Sequence, residues 1–110
     1  MNSEIQALAE LIEGAQALLA KHGEKHWASW LEQDARRIQN LDLYGVEHVL
    51  SAFGGMGSIN DLVLHPINGH LIQENEIDAA NAELANLLNR ANALAKKLYS
   101  KEVSGESRRP

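Results

Sequence analysis

The last third of the chain constrains the fold most. Ile77, Leu84, Ala91 and Leu98 stand seven apart, with Ala80, Leu87, Leu88, Leu94 and Ala95 filling the steps between them. Apolar residues at three- and four-residue intervals line one face of an α-helix, whereas a strand would scatter them over both faces. The spacing predicts a helix from about Glu76 to Ser100 that must lie on one or two partners. Asn75 is suited to cap it, and Glu76 and Asp78 fall in the first turn, where the helix dipole favours carboxylates.

Two further helices and a short third one supply those partners. The first runs from about Glu4 to His22, with Ser3 and Gln6 at capping-box spacing. Its stripe is Ile5, Leu8, Leu11, Ile12, Ala15, Leu18 and Leu19. Lys21 and His22 suit its C-terminal end, and Gly23 can take the left-handed stop position. Gly14, a cost of about 1 kcal/mol inside a helix, marks a close crossing. The second helix, about Glu24 to Gln39, places Trp27, Trp30, Leu31, Asp34, Ile38 and Leu41 on one side. The short connection at Gly23 predicts an antiparallel hairpin. Asp42 can cap the third, whose core side is Leu43, Val46, Val49, Leu50 and Phe53, ending at Gly54.

The expected fold is therefore all-α: a single helical domain over residues 1–100 made of four helices, followed by a disordered polar tail over 101–110. Residues 62–74 show no sustained helical period. Pro66 biases His65 towards an extended backbone, and Asn68-Gly69 is a turn signal that leaves a small hairpin open. An irregular, partly packed connector is the expected outcome.

Composition narrows the function. The chain of 110 residues has no cysteine, which excludes disulfides and Cys-ligated zinc. Ten Lys+Arg against fifteen Asp+Glu give a formal charge of −5. That balance opposes general nucleic-acid binding, which needs clustered positive charge. It suits solubility, or a basic partner. The N-terminal stretch has glutamates where a signal peptide would have Lys or Arg, and no apolar run reaches the length of a membrane span. A soluble cytoplasmic protein without membrane association is expected.

The stretch "FGGMGSIND", Phe53 to Asp61, is the candidate site. Gly54, Gly55 and Gly57 permit positive φ, so successive N–H groups can form a nest for an anion. A helix starting at Ser58 or Asn60 would add its dipole. The stretch is neither a Walker loop nor a GxGxxG after a strand. A helix stop followed by a Ser or Asn cap is the plainer reading, but it requires fewer glycines. Met56 can pin the loop to the bundle, with Asn60 and Asp61 fixing its exit, so an ordered loop is expected.

The other constellations are weaker. His65 and His70 flank a turn that can bring them together, and zinc would need a third ligand such as Glu74 or Asp61. No metal and no cofactor is expected. Asp61 with either histidine is an acid/base pair of an ordinary kind, and with no Cys nucleophile, HExxH or nucleophile elbow an enzyme is not expected. His48 reads as a rim residue. Trp27 and Trp30 read as core, with a partner-binding anchor as the alternative. The asparagines of the last helix exceed what a helix favours and suggest a solvated or self-associating face.

The run "FGGMGSINDLVL", with upstream "HWASWLEQDARRI" and later "HPINGH", resembles an uncharacterised family of small bacterial domains. In that family an aromatic-Gly-Gly-Met-Gly-Ser block precedes Asn-Asp-Leu. The likeness covers about residues 24–72. It implies a bacterial or phage setting and a functional or fold-defining role for Gly54, Gly55, Met56, Gly57, Ser58, Asn60 and Asp61, but supplies no reaction.

Two functions are consistent with these features. The first is a small acidic, non-catalytic binding protein of the inhibitor or immunity type. The second is a binder of a small phosphate- or nucleotide-like anion, using the Gly54–Asp61 loop with His65 and His70. A homodimer is expected, because the Leu/Ala stripes exceed what a loose bundle can cover.

Overall fold

The computed structural model describes residues 3–40, 43–53 and 58–108. Among the described residues there are four α-helices: α1 (Ser3–Lys21), α2 (Lys25–Gln39), α3 (Leu43–Ser51) and α4 (Ile77–Arg108). Three 3-10 turns, Ile59–Asp61, Pro66–Asn68 and Glu74–Glu76, punctuate the connector, and there is no strand among the described residues. The chain is thus all-α, and the hairpin left open for the connector does not form.

The helices pack in a ring, each against the next, with α4 returning to α1. Buried residues trace the stripes: Leu8, Ile12, Ala15 and Leu19 on α1; Leu31 and Ile38 on α2; Val46 and Val49 on α3; and Ala80, Leu84, Leu88, Ala91, Ala95 and Leu98 on α4. Most of the α4 stripe is therefore covered within one chain, with Ile77, Leu87 and Leu94 only partly buried. Glu4 bonds Lys97 and Lys101, while Gly14 faces Leu87, so α4 runs antiparallel to α1.

Local signals set most boundaries. Gly23 has φ 78°, and it and Glu24 return their N–H groups to the carbonyls of Ala20 and Leu19 at 3.1 and 2.9 Å. This is the Schellman closure of a left-handed C′ glycine. The Glu24 carboxylate then caps α2, accepting from Trp27 N–H at 3.1 Å.

Three details differ from the sequence reading. Asn75 does not cap α4. It lies inside the 3-10 turn Glu74–Glu76, and Gln73 is the cap, its N–H donating to Glu76 Oε1 at 3.0 Å. The backbone of α4 is helical through Arg108, past the expected end at Ser100, and Lys101 reaches back to Glu4 at 2.9 Å. Gly14 marks no unusually close crossing: a Cβ there would lie 3.6 Å from the Leu87 methyls, an ordinary contact. The close crossing is at Gly45, between α3 and α2, where a Cβ would meet Arg37 Cβ at 2.7 Å and Ile38 N at 3.1 Å.

Candidate functional site

The connector is fastened to the bundle at both of its halves. Leu64, buried, meets Asn81 of α4 through a reciprocal pair: Leu64 N–H donates to Asn81 Oδ1 at 2.8 Å, and Asn81 Nδ2 donates back to Leu64 O at 2.9 Å. Asn81 Nδ2 also donates to Ile77 O at 2.9 Å. One of the surplus asparagines thus acts as a backbone mimic that satisfies a buried peptide unit.

The second fastening lies at the α1–α2 corner. His22 is 3% exposed; its Nδ1–H donates to Leu71 O at 2.8 Å, while Leu71 N–H donates to His22 O, also at 2.8 Å. His70 is buried as well. Its Nδ1 accepts from His65 N–H at 3.1 Å, which places the ring proton on Nε2, donating to Glu24 Oε1 at 3.2 Å. His65 Nδ1 accepts from Ile67 N–H at 3.0 Å and caps the turn Pro66–Asn68. The turn does bring His65 and His70 together, as its sequence allows, and both ring nitrogens of His70 are engaged in holding the loop. No group of three potential metal ligands occurs among the described residues.

While Leu64 and Ile72 are buried and hold the connector down, three of its aliphatic side chains are exposed. Val63, Ile67 and Leu71 are 51%, 83% and 74% exposed. Two depressions flank the loop and share Ile77 and Asp78. One, about 540 Å³, is lined by His65, Pro66 and Glu74 besides these, and the other, about 340 Å³, includes Val63 and Asn81.

Gly54, Gly55, Met56 and Gly57 lie outside the described residues. Ser58 O–H donates to Asn60 Oδ1, and Asn60 and Asp61 belong to the turn Ile59–Asp61, whose Ile59 N–H returns to Ala52 O at 2.9 Å. No α-helix starts at Ser58 or Asn60. Asn60 is not a cap, and a three-residue turn supplies no macrodipole to attract an anion.

A second constellation joins α2 to α3. Asp34 is fully buried, and His48 Nδ1–H donates to its Oδ1 at 2.5 Å. Trp30 stacks on the His48 ring with centroids 4.1 Å apart, and Tyr44 lies nearly parallel to His48 at 5.9 Å. Arg37 stands 4.0 Å from Asp34 Oδ1 and over the Tyr44 ring. Burial pushes the Asp34 carboxyl above its ordinary value, against the opposing hydrogen bond and charge of His48 and the charge of Arg37. Asp34 Oδ2 and Trp30 Nε1 are buried and have no hydrogen-bond partner among the described residues. His48, whose side chain stays partly exposed, thus ties α2 to α3 from the rim. The signal in the sequence was an aspartate inside the apolar stripe of α2.

Fold and geometry together define a small all-α domain with a fastened, outward-facing connector. Residues 20–73 match the model of a family described as a domain of unknown function, DUF6966. That stretch holds α2, α3, the glycine loop and the connector up to Gln73, and so contains the Asp34–His48 pair and the His22, Glu24, His65 and His70 fastening, while Asn81 lies outside it. No curated protein and no solved structure matches the chain. Among the described residues, no helix is long and apolar enough to cross a membrane.

Proposed function

We propose that this chain is a small acidic, non-catalytic binding protein of a bacterial or phage cytoplasm, of the inhibitor or immunity type, that occupies a basic surface on another protein. The observation that carries this reading is a charge asymmetry. From Ile38 to Asn89 there is no Lys or Arg, while Asp42, Glu47, Asp61, Glu74, Glu76, Asp78 and Glu83 all lie in that stretch. A one-sign field of this kind speeds encounter with a basic partner and repels acidic competitors. Several histidines and carboxylates suited to acid/base work are engaged in holding the fold: Glu24 caps α2 and bonds His70, and Asp34 bonds His48.

The test is co-purification from the native cell followed by kinetics. A stoichiometric basic protein should co-purify, and its association rate should fall steeply as salt rises. Association indifferent to salt, or the absence of any stable protein partner, would remove this reading.

One observation favours the small-anion alternative. A cleft of about 390 Å³ is lined by Leu50, Phe53, Asn60, Asn92 and Lys96. Lys96 brings an ammonium group to this cleft, and Asn60, close to the glycine loop in sequence, lines it as well. A thermal shift with nucleotides that Lys96→Ala abolishes supports this second reading, and unchanged melting in their presence rejects it.

A further inference from the structure

We infer that the loop Val63–Leu71 is the docking surface of the binding activity proposed above, and that its occupant is a basic protein segment carrying an aliphatic or aromatic anchor. The inference rests on that reading and adds where the contact lies and what it takes.

Isolated exposed aliphatics are common on soluble proteins, whereas grouped ones mark interaction sites. Here three are grouped on one loop. His70 N–H returns to His65 O at 3.4 Å and His65 N–H donates to the His70 ring, so these two residues close the neck. Ile67 stands at the tip, and Val63 and Leu71 leave the neck on either side. Asn68 Nδ2 donates to Val63 O at 3.0 Å, tying the tip to the incoming strand of chain. The residues that alternate with the displayed ones, Leu64, His70 and Ile72, are buried. A loop anchored in this way is already ordered, so a partner need not supply the entropy of fixing it.

Charge selects the occupant. Glu74 and Asp78 line the depression beside Pro66, and Asp78 also borders the depression beside Val63. A second copy docking by a two-fold contact would set these carboxylates against themselves. A segment with Lys or Arg flanking an apolar side chain pairs with the acidic rim and sets that side chain against the exposed aliphatics of the loop, above all Ile67 at its tip.

The experiment titrates the isotope-labelled full chain with two synthetic peptides while amide shifts are followed. One peptide alternates Lys and Arg with Leu and Trp; the other replaces each Leu and Trp by Ser. The first is expected to shift amides from Val63 to Leu71 and from Glu74 to Asp78. Binding should be at least about tenfold weaker for the second peptide, and for the first peptide on a double variant, Ile67→Ser with Leu71→Ser. That variant alters exposed positions only, and its unbound spectrum checks the fold. Shifts confined to another face overturn the assignment of this surface and leave the binding reading standing. Equal binding of both peptides overturns the apolar anchor. No binding of either peptide overturns this inference and counts against the binding reading itself. A dimer in sedimentation that the double variant dissolves makes a second copy the occupant and overturns the choice of a basic partner.

Discussion

Replacing Gly45 by alanine sets two known effects against each other. Gly45 is buried in α3, so alanine gains about 1 kcal/mol of helix propensity. The added Cβ would lie 2.7 Å from Arg37 Cβ, 3.1 Å from Ile38 N and 3.2 Å from Ile38 Cγ1. Carbon atoms prefer a separation of about 3.5–4.0 Å, so the closest contact is short by roughly 1 Å. Two of the three atoms belong to, or are fixed directly to, the α2 backbone and cannot swing away. Relief therefore requires α3 to lift off α2, which stretches the 2.5 Å His48–Asp34 bond and loosens Arg37 over Tyr44. Overpacking of this kind costs about 1–3 kcal/mol, so a net loss of about 1 kcal/mol is expected. Urea unfolding gives the number directly as a lower midpoint at unchanged slope. Gly14→Ala is the control, because its Cβ would sit 3.6 Å from the Leu87 methyls and should raise stability by about 0.5–1 kcal/mol. A Gly45→Ala chain as stable as wild type would refute the close α2–α3 crossing.

Three other substitutions probe the ties. Asn81→Ala strips both partners from the Leu64 peptide unit and should cost about 2 kcal/mol by urea unfolding; a loss within about 0.5 kcal/mol would mean that the connector is not held there. Asp34 has a raised folded pKa, so its stabilising contribution is present below the unfolded value and is lost as pH rises through the folded one. Asp34→Asn should flatten that decline, and parallel stability–pH curves would count against the burial of a carboxyl at this position. Glu4 is lowered to about 2, first by its hydrogen bond to Lys97 and then by that to Lys101. Its contribution is present above the ordinary carboxylate value and is lost as pH falls towards about 2. Glu4→Gln should remove that acid-side loss, and an unchanged acid limb would show that the pairing contributes nothing.

The elements readable from sequence were those fixed by near neighbours. The Gly23 stop, the α1–α2 hairpin and the stripes of α1 and α4 depend on residues within one or two turns of each other, where spacing and cap chemistry decide the outcome. The fastening of the connector depends on distant residues. Asn81 and Leu64 are 17 apart, and His22 and Leu71 are 49 apart. An asparagine that mimics backbone looks in sequence like any other polar helix residue. Gly45 gave no signal in the sequence, because its reason for being glycine lies on another helix. His65 and His70 stood out correctly as a pair closed by a turn. Their role could not be read, because the partner of His70 is the carboxylate that also caps α2. Asp34 offered a visible clue, an acid among apolar neighbours, without identifying His48 as its partner.

Native-state hydrogen exchange tests most directly whether the connector is a fastened display rather than a slack tether. The amides of Leu64, His65 and Leu71 donate to Asn81 Oδ1, His70 Nδ1 and His22 O respectively. They should open with free energies approaching those of the core amides of α1 and α4, since the loop can then come loose only when the bundle does. Exchange of all three at the rate of an unstructured chain would contradict the fastening and, with it, the pre-organised surface carried by Ile67 and Leu71.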